Sequence, residues 1–243
     1  VLTEVKVRVT PLPEKEQFHV AFAPDWDAAV NLVRSMAQAK LPLSMLRVSN
    51  AEETRSHLKL AGHEKLVGWL ERYLALRGNT DGKCMITFGV TGQARACAQN
   101  LAEAKRRIRA AGGVHVGTLL GKKWEESRFR SPYLRHGLWE HGYAVDTLET
   151  CVDWTRVQDT VATIEQAIRD NCGDDGKVHV FTHLSHLYPQ GSSIYTTYVF
   201  RCSASYEETR TRWAQMKKAA SDAIATMGGT ISHQHGVGRD HAP

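Results

Sequence analysis

Val178-His179-Val180-Phe181-Thr182-His183-Leu184 and Ile194-Tyr195-Thr196-Thr197-Tyr198-Val199-Phe200-Arg201-Cys202 are two β-rich runs joined by the loop His186 to Ser192. Branched and aromatic residues dominate both, and Pro189 and Gly191 punctuate the loop. A helical stretch precedes the pair at 154–170 and another follows at 206–227. Two strands held between two helices are the middle of a split β-α-β unit. Period-two geometry places Ser193, Tyr195 and Thr197 on one face of the second run, and Ile194, Thr196 and Tyr198 on the other. The first face is too polar for a core and suits the wall of a pocket.

The same rhythm extends outward. Strand-like runs fall at 1–10, 17–23, Leu43 to Val48, Cys84 to Val90, Val114 to Leu119 and Tyr143 to Cys151. Helical runs fall at 26–39, from Asn50 onward, at 62–76, at 93–111 and at 121–141, the last broken near Ser131-Pro132. Asp25, Asp153, Asn50-Ala51-Glu52-Glu53 and Ser205-Tyr206-Glu207-Glu208 read as helix starts, and Gly228-Gly229 as a helix stop. The expectation is an α+β fold, with helices packed on an antiparallel or mixed sheet built from repeated split β-α-β (ferredoxin-like) units. There is no P-loop and no Rossmann fingerprint.

Composition narrows the function. Of 243 residues, 42% are hydrophobic and 23% charged, ordinary values for a globular protein with a sizeable core. The net charge of +5 is dispersed apart from Lys105-Arg106-Arg107 and Lys217-Lys218, so nucleic acid is not the expected partner, whereas an anionic small molecule is. Five scattered cysteines without a C-x-x-C step signal neither a disulfide framework nor a zinc knuckle. No apolar run approaches the roughly 20 residues that a membrane span needs. No leader is expected in this stretch, and since it begins in a strand-like run without Met it is expected to be a segment of a longer protein.

Four places carry polar residues inside well-patterned elements. Ser232-His233-Gln234-His235-Gly236-Val237-Gly238-Arg239-Asp240-His241 is the densest. Its imidazoles are proton carriers or metal ligands near neutral pH, and its glycines let backbone approach a flat or anionic partner. Tyr195 could donate or relay a proton. Arg135, in Ser131-Pro132-Tyr133-Leu134-Arg135-His136, has the planar fork that suits carboxylate or phosphate. Arg47 interrupts the apolar strand Leu43-Ser44-Met45-Leu46-Arg47-Val48, where a charge needs a partner or an open pocket. His179, His183 and His186 cluster as well, but on a strand-like run their spacing does not make them converge.

These motifs, in this order, resemble a family. Val1-Leu2-Thr3-Glu4-Val5 leading to Pro11-Leu12-Pro13 is similar to the strand that leaves the FAD-binding domain of vanillyl-alcohol-oxidase-type flavoproteins. Leu43 to Arg47, Pro132-Tyr133-Leu134-Arg135, Tyr143 to Thr150, Ser193-Ile194-Tyr195 and Ser232 to Gly238 then resemble the FAD-linked oxidase C-terminal domain, in its ether-lipid synthase branch. The resemblance implies FAD as cofactor, bound mainly by an N-terminal domain outside this chain. Residues 1–13 would be the exit strand of that domain. Residues 14–243 would form the substrate (cap) domain, without the family's C-terminal tail.

In that branch an acyl group on dihydroxyacetone phosphate is exchanged for an alkyl group through a flavin N5 adduct, without net redox change. The resemblance gives proton handling to Tyr195, His233 and His235, and anion binding to Arg135 and Arg47. Gln234, Gly236 and Gly238 would approach the cofactor. The branch has three consecutive histidines where this chain has Gln234 in the middle. The alternative is FAD-linked oxidation of a hydroxy acid or alcohol. Metal-binding members of that branch use two histidines on the paired strands and a glutamate before the terminal histidine. Here His183 stands at the first position, Tyr195 replaces the second histidine and Gln234 the glutamate, so no metal is expected. A third reading, a non-catalytic α+β module, requires Tyr195 and His235 to lie far apart. The expected partners are a small-molecule or lipid-phosphate substrate and a second copy in a homodimer. The expected location is the cytoplasm of a bacterium, or the peroxisome if the source is eukaryotic. The segment on its own is expected to be catalytically inert.

Overall fold

The chain builds two split β-α-β repeats and joins them edge to edge in one sheet. This computed structural model describes residues 3–9, 11–62, 64–129, 133–173 and 177–234. The first repeat runs β1 (Lys15–Ala23), α1 (Trp26–Gln38), β2 (Met45–Ser49), α2 (Ala51–Leu60), α3 (Glu64–Leu76), β3 (Cys84–Gly92), α4 (Ala94–Ala110) and β4 (Val114–Gly117). Helices α5 (Leu119–Ser127) and α6 (Leu134–Glu140) lead into the second: β5 (Tyr143–Asp153), α7 (Val157–Asp170), β6 (Val178–Leu184), β7 (Gly191–Arg201) and α8 (Tyr206–Thr226). The strand order among the described residues is β4-β1-β3-β2-β6-β7-β5, and every pairing is antiparallel. The expected ferredoxin-like repeats are therefore present, and the sheet is antiparallel rather than mixed.

The repeats meet at β2 and β6, where Val48 pairs with Leu184 and Ser49 with His183. One face of the sheet is apolar across this seam. Ala21, Ile86, Phe88, Val48, Leu184, Ile194, Tyr198 and Phe200 point there and pack under the buried residues of α1, α4, α7 and α8. Asp146 of β5 also turns to this side, where its Oδ2 accepts from Trp213 Nε1 (2.7 Å), Lys217 Nζ (3.0 Å) and Tyr198 Oη (3.1 Å). That carboxylate ties α8 to the sheet. On the opposite face the β1–β3–β4 half is covered by a second cluster, Val20, Phe22, Leu58, Leu74, Met85 and Val114. Around Tyr195, Thr147, Thr197 and Phe181 the β5–β7–β6 half of that face stays partly exposed.

Most helix starts follow the sequence. Asp25 caps α1 through the Ala28 amide (2.8 Å), Asn50 caps α2 through Glu53 (3.0 Å), and Ser205 caps α8 through Glu208 (3.2 Å). Asp153 does not cap α7. Its carbonyl closes a turn onto the Arg156 amide, and α7 begins at Val157, because Trp154 is first drawn into the core with its indole N–H on the Tyr188 carbonyl (2.9 Å). The stretch read as 121–141 is two helices, α5 ending at Ser127 and α6 beginning at Leu134; Ser131 and Pro132 lie outside the described residues. Residues 3–9 form no strand despite their alternation, and Val5, Val7 and Val9 are exposed. A strand needs a hydrogen-bonded neighbour, and no described strand pairs with this run.

Beneath α4, His19 Nδ1 lies 3.2 Å from His115 Nε2, and the His19 ring stacks on Phe88. Burial, with the charge of Lys105, lowers both imidazoles to about 4. Both are neutral when folded but take up protons near pH 6.5 once unfolded. Their contribution is complete above that pH and is lost as pH falls toward 4. Stability should therefore drop by on the order of 2 kcal/mol between pH 7 and 5. Urea melts at the two pH values check this. A His19→Phe/His115→Phe variant should show a much smaller difference.

Candidate functional site

Strand register assembles the site. His183 of β6 pairs with Ser49 of β2 on one side and Tyr195 of β7 on the other, and Tyr195 pairs with Glu149 of β5. Ser49, His183, Tyr195 and Glu149 form one transverse row across four strands. All point to the partly open face, because each is an even number of residues from another member of that face. Ser193 and Thr197 flank Tyr195 on the same side, as period two requires.

At one end of the row lies a carboxylate with two imidazoles. Glu149 Oε1 is 3.1 Å from His233 Nδ1 and 3.2 Å from His186 Nδ1, and the Glu149 side chain is only 3% exposed. His233 Nε2 lies 3.3 Å from the Tyr188 hydroxyl, to which Gln234 Nε2 donates at 3.3 Å. With Nδ1–H given to Glu149, His233 keeps a lone pair on Nε2 that the Tyr188 hydroxyl can serve. Two bonds anchor the chain here: Thr150 Oγ1 donates to the Thr230 carbonyl (2.6 Å), and the Cys151 amide donates to Thr230 Oγ1 (3.1 Å). The ligand atoms of Glu149, His186 and His233 all lie within 4.8 Å of one another. Two imidazoles and a carboxylate at that spacing could also hold a divalent cation.

At the other end, Arg47 Nη2 donates to Glu53 Oε1 at 2.7 Å, and His183 Nδ1 is 3.0 Å from each of those atoms. Burial would raise the Glu53 carboxyl, but the neighbouring positive charge outweighs it and holds the group well below the usual carboxylate range. The charges of His183 and Arg47 and the His183 hydrogen bond do this, while burial and the Arg47 guanidinium lower the His183 imidazole from its ordinary value. The His183 ring stacks on Tyr195, centroids 4.7 Å apart and 17° from parallel.

The structure thus brings together Tyr195, His233, Gln234 and Arg47 of the residues singled out in the sequence. Arg135 lies exposed on α6, and no hydrogen bond or ion pair joins it to them among the described residues. His235, Gly236 and Gly238 lie outside the described residues. Of the histidine cluster, His183 and His186 both face the row, at opposite ends, while His179 pairs with Ser56 of α2 (2.9 Å). Sequence reading missed Glu149, Glu53 and Tyr188. Glu149 carried a usable signal, a charge inside a strand, the same one that drew attention to Arg47.

Comparison with known proteins identifies the family. The profile of the family described as FAD linked oxidases, C-terminal domain, matches residues 12–243. This chain belongs to that family. The alkyldihydroxyacetonephosphate synthase of Dictyostelium discoideum is 26% identical over 251 residues, covering 100% of this chain and 41% of the relative. The synthase of Trypanosoma brucei brucei is 23% identical over 250 residues, covering 100% of this chain and 40% of the relative. The chain therefore spans about two fifths of the length of these relatives. A solved alkyldihydroxyacetonephosphate synthase superposes with a TM-score of 0.81 at 21% identity, covering 91% of this chain and 41% of that one. A p-cresol methylhydroxylase with substrate bound superposes at 0.58 and 10% identity, covering 90% of this chain and 45% of that one. The two superpositions establish the fold. No described helix is long and apolar enough to cross a membrane.

Replacing Glu149 by Leu removes the acceptor that holds His233. A hydrogen bond to a charged group contributes about 1.5–3 kcal/mol. Hydrogen–deuterium exchange of residues 230–234 should quicken by roughly 10- to 100-fold, with α8 unchanged.

Proposed function

We propose that this chain is the substrate-facing part of an FAD-dependent enzyme of the alkyldihydroxyacetonephosphate synthase type. It would exchange the acyl group of acyl-dihydroxyacetone phosphate for a fatty alcohol and release the fatty acid, with no net oxidation. The observation that carries this is the tethering of His233 by Glu149, the cross-strand partner of Tyr195, on the one sheet face left partly open. Homology to the synthases over the whole chain supports it. The homology also weighs against a non-catalytic module; the Tyr195–His235 separation that decides it falls outside the described residues.

The open half-face fits a flat heteroaromatic ring. It is partly exposed, with Tyr195, Thr197 and Thr147 on it. FAD, when bound, supplies an electron-poor ring that can accept the substrate carbon and release it again. The chain's own groups do the rest. Tyr195, His233 and His235 move protons, with His233 taking one at Nε2 while Glu149 stabilises the imidazolium from Nδ1. Gln234, Gly236 and Gly238 bring backbone and amide groups toward the cofactor. Arg135, and from the far end of the row Arg47, hold the phosphate. In this reading residues 14–243 are the substrate domain, residues 1–13 enter it from an FAD-binding domain, and the enzyme works as a homodimer. The site is cytoplasmic in a bacterium or peroxisomal in a eukaryote.

One observation favours a second reading, FAD-linked oxidation of a hydroxy acid or alcohol. The Glu149, His186 and His233 atoms within 4.8 Å form a set that a metal-gripped 2-hydroxy acid could use, although it differs from the His183, Tyr195 and Gln234 positions.

Anaerobic titration of the full-length flavoprotein separates the two. Acyl-dihydroxyacetone phosphate should bleach the oxidised flavin band, and a fatty alcohol should restore it with release of an alkyl ether. Bleaching by a 2-hydroxy acid, abolished by a chelator and restored only by an electron acceptor, would establish the oxidation instead.

A further inference from the structure

Glu53 sits at the third residue of α2, where a helix-start glutamate ordinarily turns back to the amide of its own cap residue. Here the Asn50 amide is already spent on the Thr182 carbonyl of β6 (2.9 Å), and the Asn50 side chain holds Glu165 (2.9 Å). The Glu53 carboxylate is thereby released to point into the sheet, where it meets Arg47 and His183. The residue is 2% exposed, and its Oε2, like Arg47 Nε, has no hydrogen-bond partner among the described residues. A buried ion pair with unused hydrogen-bonding capacity contributes little to stability, and apolar residues of the same volume would do as well or better. What the pair does supply is a fixed geometry, and the group standing on that geometry is the ring of Tyr195.

We propose that Glu53 is a positioning residue. It locks Arg47 and His183 in place, and through the stacked His183 ring it sets the orientation of the Tyr195 phenol. The inference rests on the reading of Tyr195 as a proton-handling group. A ring stacked 17° from parallel at 4.7 Å blocks the phenol from swinging across the sheet toward β6. Glu53 also balances charge. The ionisable groups around Tyr195 are Arg47 of β2, Glu53 and His57 of α2 and His183 of β6 on one side, and Glu149 of β5, His186 and His233 on the other. Neutralising Glu53 leaves the Arg47 charge uncompensated behind the phenol, which favours phenolate and moves proton transfer to lower pH.

The test uses the full-length flavoprotein and the rate of flavin bleaching by saturating acyl-dihydroxyacetone phosphate across the pH range. Tyr195→Phe should slow bleaching about 100-fold or more, the usual scale for a lost acid–base group. Glu53→Gln should slow it roughly tenfold and move the alkaline limb of the profile to lower pH. His183→Phe keeps the stacked ring and should stay within about threefold of wild type, whereas His183→Ala should match Glu53→Gln. The double variant Arg47→Met/Glu53→Gln removes both charges. It should fold, because the pair contributes little; since Arg47 is also read as holding the phosphate, only the position of the alkaline limb is compared, and it should return to the wild-type value, which loss of a merely structural contact would not do. If Tyr195→Phe is slow while Glu53→Gln and His183→Ala keep the wild-type rate and profile, the positioning role is overturned. If Tyr195→Phe bleaches at the wild-type rate, the reading of Tyr195 fails and the positioning role goes with it. Should Glu53→Gln not fold, His183→Ala carries the test: a wild-type rate and profile in that variant overturns the role.

Discussion

Everything at this site depends on strand register. Side chains alternate with a period of two, so a slip of one residue between β6 and β7 would send His183 or Tyr195 into the helix-packed core. The register is held from the apolar side. Leu184, Ile194, Tyr198 and Phe200 must face α7 and α8, and burying them on that side forces His183, Tyr195 and Ser193 onto the other. The polar row is thus a geometric consequence of the hydrophobic core, and it needs no stabilising interactions of its own to form.

The two acids of β5 illustrate the constraint. Asp146 and Glu149 are three residues apart and therefore lie on opposite faces. Asp146 is absorbed into structure, taking donors from Trp213, Lys217 and Tyr198, and burial is offset by the Lys217 charge so that its carboxyl titrates below the ordinary value. Glu149 takes its described hydrogen bonds from two imidazoles instead. One strand thereby supplies a structural tie on its covered face and a carboxylate that tethers two imidazoles on its open face. The seam between the repeats adds the second pair of opposed groups, Arg47 and Glu53, at the far end of the row.

Much of this was legible in the sequence, for reasons that differ by residue. The polar face of Ser193, Tyr195 and Thr197 follows from alternation alone. Arg47 announces itself as a charge in an apolar strand, and Glu149 offers the same signal. Which acid of β5 faces the site is a question of parity, and it becomes answerable once Tyr195 is placed on the open side. Glu53 was hidden because its sequence context spells a capping box, and only the pairing of the Asn50 amide with β6 frees the side chain. Tyr188 was hidden because its position is set by a loop closed through its own amide on the Gly191 carbonyl (2.8 Å), a contact with no periodic signature. The alternation of residues 3–9 misled in the opposite sense: it expresses a tendency to pair that no described strand of this chain meets.

The central claim is that the cofactor ring lies against the row of His183, Tyr195 and Glu149. A crystal structure of the full-length protein with FAD bound tests it most directly. The account predicts the isoalloxazine ring on the β5–β7–β6 face, with the Tyr195 hydroxyl and a ring atom of His233 or His235 within about 4 Å of the ring or of a molecule bound on it. A flavin placed elsewhere, with Tyr195 facing solvent or another protein surface, would contradict it.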